Sequence, residues 1–212
     1  MTNLYDYLHF LFNSKRRFHF PFDNDIDQIP SNGIYVNFET GEKYKEWDRI
    51  VRVGTHKGNN QLRSRLYQHF IKKNKNRSIF RKHIGRCLLN KINNPYLDIW
   101  NCDSTSKENK IKYNHLIDKN FEQELEQQIS QYIQDNISFS VFELNNKDKR
   151  LFWESKIIST LAAFPDIRPS DNWLGLFSPK DKILQYGLWQ VNELKKKPLD
   201  NDEINELTQL LE

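Results

Sequence analysis

The stretch that decides the fold covers residues 33–70 and reads GIYVNFETGEKYKEWDRIVRVGTHKGNNQLRSRLYQHF. It begins with strict alternation, because Ile34, Val36 and Phe38 fall on one face of an extended chain. The segment 40–48 contains a glycine and many charges, and it predicts a hairpin loop that leads into a second strand. We therefore expect an antiparallel ribbon of two strands at the centre of the fold.

The second strand ends at Gly54 and alternates in the same way. Val51 and Val53 are expected on its apolar face, and Arg52 on the other face. If the hairpin places the two apolar faces on the same side, Tyr35 and Arg52 share the polar side of the ribbon.

A helix is expected after the loop 57–60, in which Asn59 or Asn60 can cap the helix N-terminus. Three apolar residues recur at every fourth position and should face the core: Leu62, Leu66 and Phe70. Arg65 and His69 lie one turn apart beside this stripe. The ribbon and the helix would thus bring a tyrosine, two arginines and a histidine to one surface.

This set of side chains suits the chemistry of phosphodiesters. A tyrosine hydroxyl with a pKa near ~10 is a poor base at neutral pH, but a neighbouring cation favours its phenolate. Arginine can stabilise negative charge on phosphoryl oxygens. Each residue also has an ordinary reading, which is packing for Tyr35 and a solvated helix face for Arg65 and His69.

In combination, these motifs resemble the GIY-YIG nuclease family. The triplet 33–35 matches the first motif letter for letter, and the triplet 52–54 matches the second with Arg52 in place of the usual tyrosine. Arg65 and His69 match the arginine and the frequent histidine on the family's helix. The resemblance implies an α/β (α+β) fold, in which a small antiparallel sheet of three strands is flanked by helices.

A candidate metal ligand lies on a later helix. A strand is predicted at 139–144 and a helix from Lys149, on which Glu154 lies beside the apolar stripe that includes Leu151 and Ile157. A carboxylate in that position is unfavourable unless a cation compensates, and either a salt bridge or a metal ion can do so. The resemblance favours the metal, because the family places its metal-binding glutamate on this helix. One carboxylate with waters and substrate oxygens suits Mg²⁺ or Mn²⁺.

The loop after this helix carries Asn172 beside Trp173. The resemblance implies a catalytic role for Asn172, because an asparagine after the glutamate helix helps to complete the family's active site. Turn formation is the alternative reading, since asparagine favours turns in any case.

The segment 71–86 is rich in lysine and arginine and contains no carboxylate. Such a segment suits the phosphate backbone of a nucleic acid, while a solvated loop and helix start is the alternative. The predicted nucleic-acid contacts are Lys72, Lys73, Arg77, Ser78, Arg81 and Lys82.

Composition places the chain among soluble globular proteins. It has 212 residues, of which 37% are hydrophobic and 28% charged, with a formal net charge of +4. No apolar run approaches the length of a membrane span, so we expect no membrane contact. Cys87 and Cys102 build no disulfide framework, which favours a reducing, cytoplasmic location.

We predict a single nuclease domain over residues 1–212. Its catalytic module should run from about 33 to 172 and be interrupted by an insertion at about 87–137. Apolar periodicity also predicts a helix at the N-terminus and another at 119–136.

The resemblance implies a metal-dependent DNA endonuclease. Tyr35 would deprotonate or orient the attacking water, and Glu154 would hold the metal. Arg65 would bind the phosphoryl oxygens, His69 would assist proton transfer or phosphate binding, and Arg52 would tune Tyr35.

The enlarged middle section most resembles the restriction endonucleases of this family. These enzymes cut duplex DNA at short sites, so a homodimer or higher oligomer on DNA is expected. Two alternatives remain. One is a structure-selective nuclease for DNA repair or mobile-element processing. The other is a nucleic-acid-binding module that has kept the scaffold and lost catalysis.

Overall fold

An antiparallel sheet of three strands lies at the centre of the computed structural model, which describes residues 4–164 and 168–211. The central strand is β1 (Gly33–Tyr44), and β2 (Trp47–Gly54) and β3 (Ile137–Glu143) pair with it on either side. The predicted sheet of three strands is confirmed. Because β1 is bonded on both edges, it is the most firmly held of the three strands.

Helices cover both faces of this sheet. In the described part of the chain they are α1 (Leu4–Asn13), α2 (Leu62–Phe70), α3 (Ile79–Lys91), α4 (Tyr96–Asn101), α5 (Lys107–Tyr113), α6 (Lys119–Asn136), α7 (Lys147–Ala162), α8 (Asp181–Tyr186) and α9 (Asn201–Leu211). Short 3-10 helices occupy Asp23–Gln28, Asn114–Leu116 and Leu174–Phe177. None of the helices in these ranges is long and apolar enough to cross a bilayer.

Two apolar clusters fill the interior, one on each face of the sheet. Helices α1, α7 and α9 pack on the face that carries Ile34, Val36 and Phe38. Helices α2, α3 and α6 pack on the other face, which carries Tyr35. Because this second face is packed rather than solvated, its polar residues are buried as well, and Glu39 is only 5% exposed.

The hairpin is longer than the sequence pattern predicts. Strand β1 continues to Tyr44, so the predicted loop at 40–48 shrinks to a tight turn that begins at Lys45 with a φ of 53°. Charged residues are tolerated in this part of the ribbon because they pair. Arg49 donates from Nε to the Glu42 carboxylate at 2.9 Å, and both side chains are buried.

A β-bulge changes which side chains share a face of β2. Val51 is an extra residue between the pairs that Ile50 and Arg52 make with β1. As a result Val51 packs in the cluster that contains Tyr35, whereas Val53 packs on the opposite face. The prediction that the two valines lie on one face was wrong, because a single extra residue reverses strand alternation.

The N-terminus of α2 is held by the chain that precedes β1. The Leu62 N–H donates to the Ser31 carbonyl at 3.0 Å, and no side chain caps the helix. Asn60 instead adopts a φ of 55° and exchanges two hydrogen bonds with Asn32, at 2.7 and 2.8 Å. The prediction of a cap by Asn59 or Asn60 was therefore wrong.

The segment after α8 runs along the free edge of β2. The Trp189 N–H donates to the Val51 carbonyl at 2.8 Å, and the Arg52 guanidinium donates to the Trp189 carbonyl at 2.5 Å. Gln190 Nε2 donates to the Val53 carbonyl at 3.1 Å. The C-terminal part of the chain thus supplies one wall beside the second motif.

Glu39 fixes this segment from the sheet. Its Oε2 accepts the indole N–H of Trp189 at 2.7 Å and that of Trp173 at 2.9 Å. The Tyr132 hydroxyl donates to Oε1. Burial raises the pKa of the Glu39 carboxyl, and the three donors partly oppose that effect.

Candidate functional site

A pocket of about 850 Å³ opens between the end of β2, α2, the start of α3, α7 and the segment 189–193. Three of the predicted catalytic and metal-binding residues line it, namely Arg52, Arg65 and Glu154. Arg77, one of the predicted nucleic-acid contacts, lines it as well. The pocket therefore gathers cations and a carboxylate from elements that are far apart in sequence.

Glu154 lies on α7, half-buried at the pocket. Its Oε1 accepts the N–H of Thr55, the residue after β2, at 2.9 Å. Burial raises the pKa of Glu154, and the charge of Arg52 and the bond from Thr55 oppose that rise. The nearby Glu193 raises the pKa further, whereas Arg65 lowers it. A divalent cation bound to Glu154 would offset the electrostatic cost of keeping this half-buried carboxylate ionised near the carboxylate of Glu193.

The residues at Glu154 fit a magnesium site that has few protein ligands. Within residues 4–164 and 168–211, Thr55 provides the only hydrogen bond to the Glu154 carboxylate, so Oε2 is free for a ligand. The same ranges contain no group of three or more His, Cys, Asp or Glu side chains that could hold a metal. Magnesium does not need such a cage, because it is often bound by one or two carboxylates together with waters and phosphate oxygens.

Tyr35 lies on β1 behind the pocket wall and is completely buried. Its hydroxyl oxygen is 2.8 Å from His69 Nε2, and His69 Nδ1 is 2.7 Å from the Ser78 hydroxyl. Gly54 makes room for this arrangement, since a Cβ at that position would lie 2.3 Å from the Tyr35 oxygen. The structure thus pairs Tyr35 with His69, and no hydrogen bond in the described chain joins Tyr35 to Arg52.

His69 is neutral in this environment. Its side chain is 1% exposed, and burial lowers its pKa well below the ordinary value. Three surrounding cations lower the pKa further: Arg65, Arg52 and Arg81. A neutral imidazole donates one hydrogen bond and accepts another, which matches the two partners that His69 has.

Arg52, which replaces the tyrosine of the second motif, is 6% exposed. Its guanidinium carbon lies 5.1 Å from the centre of the Phe80 ring, and one amino group donates to the Trp189 carbonyl. Its Nε is buried, and no acceptor in the described chain bonds to it. An unpaired buried donor beside a pocket favours the binding of an anion.

Arg65 is partly exposed on α2. One amino group donates to the Arg77 carbonyl at 2.8 Å and to the Gln68 side chain at 3.1 Å. These bonds hold its guanidinium at the pocket, where it can bind phosphate oxygens.

The six predicted nucleic-acid contacts separate into two groups. Three are exposed: Lys72, Lys73 and Arg77. Three are buried: Ser78, Arg81 and Lys82. Arg81 forms an ion pair with Glu126 at 2.6 Å, and Lys82 donates to the Asn101 carbonyl at 2.9 Å. The structure therefore gives this second group partners inside the protein.

The pocket wall at 189–193 was missed by sequence reasoning. Asn172 is exposed and does not line the pocket, whereas Gln190, Asn192 and Glu193 do. In the sequence, apolar residues dominate 180–194 and obscure the polar side chains among them. The signal that could have revealed the wall is a short alternation of apolar and polar residues, which is typical of an extended segment at the edge of a sheet.

The sequence as a whole matches the family model for the GIY-YIG domain over residues 1–212. The match takes in the central segment 87–137 as well as the residues that carry the motifs. Comparison with curated proteins and with solved structures gives no significant match.

Proposed function

This chain belongs to the GIY-YIG domain family, which implies a nuclease that acts on DNA, and we propose that it is a metal-dependent endonuclease. The observation that carries the proposal is that Glu154 and Arg65, from two different helices, line one pocket. A carboxylate with an unengaged oxygen can hold a divalent ion, and an arginine can hold the phosphate that the ion contacts.

Magnesium or manganese is the cofactor that these residues fit. Glu154 would bind it through its carboxylate, while the Thr55 N–H keeps Oε1 in place. When bound, the ion supplies a Lewis acid that stabilises charge on the phosphoryl and leaving oxygens. Glu193 adds a second carboxylate at the pocket and so increases its attraction for a cation.

The arginines bind and stabilise the phosphate. Arg65 is held at the pocket by the Arg77 carbonyl, so its guanidinium loses little freedom when a phosphate arrives. Arg52 contributes a second cation with an unpaired Nε. Charge that develops on the phosphoryl oxygens in the transition state is stabilised by such fixed donors.

Tyr35 orients or deprotonates the attacking water in this proposal. Its hydroxyl lies against Gly54, and the next residue, Thr55, binds Glu154. The Tyr35 hydroxyl and the Glu154 carboxylate thus contact two successive residues at the end of β2, Gly54 and Thr55. Because Tyr35 is closed from solvent in the free protein, the proposal requires that DNA binding opens a path to its hydroxyl.

We further propose sequence-specific cleavage of duplex DNA, as in the restriction endonucleases of this family. Support comes from the central segment that contains α4, α5 and α6, which offers surface for recognition beyond the catalytic elements. Cleavage of both strands calls for two active sites, which a homodimer or higher oligomer on DNA provides. A structure-selective nuclease is the alternative, in which case branched DNA is the substrate.

Digestion of a methylation-free phage genome in Mg²⁺ or Mn²⁺ tests the proposal. The wild type is compared with Glu154→Ala and Arg65→Ala, and with Glu206→Ala as a matched control on the exposed side of α9. Removing an interaction that acts only in the transition state lowers cleavage by a factor of about 100 to 1,000. The control should cut as the wild type does.

The pattern of products separates the candidates. Discrete fragments that both site variants lose support a restriction-type nuclease, and nicks confined to branched substrates support the structure-selective alternative. If both site variants cut at the wild-type rate, the chemistry lies elsewhere. Salt-sensitive DNA binding without any cleavage in either metal would indicate a module that binds nucleic acid and has lost catalysis.

A further inference from the structure

We propose that His83 is a further substrate-binding residue of this pocket, and that its Nε2–H donates a hydrogen bond to a phosphate oxygen of the DNA. The proposal rests on the proposed function for the class of its ligand, whereas the free donor follows from the contacts of His83 itself. His83 lines the pocket from α3 and is only 2% exposed.

The place of His83 on α3 follows from the apolar spacing of that helix. Phe80, Ile84 and Cys87 are buried in the apolar cluster that covers the Tyr35 face of the sheet. Ile79 and His83 are one turn apart, and both line the pocket. The packing of α3 thus brings one polar ring to the pocket wall.

Arg86, on the same helix as His83, engages one nitrogen of its ring. Arg86 Nη1 lies 3.0 Å from His83 Nδ1 in a buried contact. A guanidinium donates hydrogen bonds and accepts none, so Nδ1 must be the acceptor and carry no proton. A ring turned by 180° would present a C–H group to Nη1 and lose this bond. Arg86 Nε also donates to Asn101 Oδ1 at 2.6 Å, which holds the guanidinium in place.

The proton of the neutral ring then lies on Nε2. The ring is neutral because burial and the positive charge of Arg86 lower the pKa of His83 from 6.5 to about 3. Within residues 4–164 and 168–211, Nε2 has no hydrogen-bond partner. A donor removed from water without an acceptor is unfavourable, so a ligand that accepts from Nε2 is stabilised. A protonated Nε2 has no lone pair to offer, which excludes His83 as a metal ligand in this form.

The charges around His83 favour an anion as this ligand. The largest charge effects on its pKa all come from cations, namely Arg86, Arg52, Lys180 and Lys82. Arg52 also lines the pocket, where its Nε has no acceptor in the described chain. Negatively charged oxygens can accept from such donors and are attracted by the surrounding cations. In a pocket that receives DNA, the group with these oxygens is a phosphodiester.

His56 lines the same pocket and provides a contrast. Its Nδ1 donates to the Gly58 carbonyl at 2.7 Å, since a carbonyl can only accept, and its Nε2 accepts the Gly33 N–H at 3.3 Å. The backbone thus engages both ring nitrogens of His56. The two histidines have opposite tautomers, and of the two His83 is the one with a donor left for a ligand.

Nuclear magnetic resonance of ¹⁵N-histidine-labelled protein tests this donor in EDTA, so that metal-dependent cleavage does not interfere. The signals are assigned by their loss in His83→Gln and in His56→Gln. In the free protein we expect the proton of His83 on Nε2 and that of His56 on Nδ1. Addition of a short DNA duplex should move the Nε2 proton of His83 to lower field, because an anionic oxygen accepts it, and leave the His56 proton on Nδ1.

Binding of the same duplex in EDTA measures the contribution of this hydrogen bond. His83→Phe keeps a ring and removes the donor, so it should weaken binding about 10-fold, as for the loss of one hydrogen bond to a charged group. His83→Gln should restore most of this loss, since its amide can accept from Arg86 and donate to a phosphate. The matched control is His19→Phe, because His19 is exposed and does not line the pocket. It should bind as the wild type does.

The salt dependence of binding separates a neutral donor from an ion pair. Because His83 is uncharged, His83→Phe should leave the slope of log K against log salt concentration unchanged. Arg65→Ala removes a charge at the same pocket and should lower that slope by about one. A slope that falls in His83→Phe as it does in Arg65→Ala would contradict a neutral histidine.

The outcomes distinguish this proposal from the proposed function. A His83 proton that stays in place while the duplex binds, or wild-type affinity in a folded His83→Phe variant, would overturn the role of His83. Circular dichroism establishes folding, and if His83→Phe does not fold, the NMR shift in the wild type decides. Cleavage in Mg²⁺ by a protein whose His83 does not respond to DNA supports the proposed function alone. A responding His83 in a protein that cuts no DNA supports the phosphate contact alone, and no binding of the duplex refutes both.

Discussion

Gly54→Ala is the substitution that most directly tests the packing of Tyr35 against the second motif. A Cβ at Gly54 would lie 2.3 Å from the Tyr35 oxygen and 2.4 Å from the ring carbon that bears it. Ordinary carbon contacts begin near about 3.5 Å, so the ring must move by roughly 1 Å. The two residues face each other in the strand pairing, which leaves the backbone little room to yield.

This displacement has two expected consequences. Overpacking of a filled core destabilises by about 1–3 kcal/mol, which denaturant unfolding measures. The Tyr35 hydroxyl also leaves its 2.8 Å contact with His69, and a misplacement of about 1 Å in an active site lowers cleavage on the order of 100-fold. Single-turnover digestion of a plasmid substrate measures the second effect.

Two comparisons isolate the clash. Gly41→Ala at the hairpin meets open space at a φ of +84°, so it should lose stability through backbone strain and keep full cleavage activity. Tyr35→Leu removes the ring, and in that background Gly54→Ala should no longer destabilise. Equal destabilisation by Gly54→Ala with and without the Tyr35 ring would refute the reasoning.

Two further predictions concern stability. Arg81→Ala leaves the buried Glu126 carboxylate without its ion pair and should lower the free energy of unfolding by about 3–5 kcal/mol, whereas the double substitution Arg81→Met with Glu126→Leu should lose less. Urea unfolding measures the free energy of unfolding of both variants. A loss below about 1 kcal/mol for Arg81→Ala would contradict the view that its ion pair with Glu126 stabilises the fold. His9 is buried with Nε2 accepting the Ile50 N–H at 3.0 Å, and burial lowers its pKa from 6.5 to about 4. Because the pKa of His9 is lower in the folded state than in the unfolded state, its contribution to the free energy of unfolding is complete above pH 6.5 and is lost as the pH falls toward 4. At pH 5 the loss is about 2 kcal/mol. Unfolding curves at pH 7.5 and 5 should show that loss in the wild type and a smaller one in His9→Gln.

Local patterns were enough to predict the strands of the central hairpin and helix α2, whereas the sheet of three strands was implied by the family resemblance. The alternation in β1 and the fourfold spacing of Leu62, Leu66 and Phe70 depend only on neighbouring residues, and the structure places these side chains in the core as expected. The hairpin was misjudged for a different reason. Glu42 looks like a loop residue until its partner Arg49 is known, because pairing is what allows both charges to be buried.

The candidate site also contains residues that local patterns predict and residues whose position depends on distant contacts. Arg65 and Glu154 follow from motif and helix position, and the structure brings them to one pocket. The wall at 189–193 depends on hydrogen bonds to β2 across more than a hundred residues of chain, such as the one from Trp189 to Val51. No local pattern contains such a contact, so the sequence did not reveal the polar residues of that wall, whereas the role of Asn172 was implied by the family resemblance.

The charge of Arg52 acts on two parts of the site, the Glu154 carboxylate and the His69 imidazole beside Tyr35. It opposes the effect of burial on the pKa of Glu154, so it helps to keep that carboxylate ionised for a cation. The same charge lowers the pKa of His69, so it helps to keep the imidazole neutral beside Tyr35. Its bond to the Trp189 carbonyl also holds the start of the 189–193 wall on β2. An arginine in place of the second tyrosine thus gives the pocket a fixed cation that acts on the carboxylate and on the tyrosine–histidine pair at once.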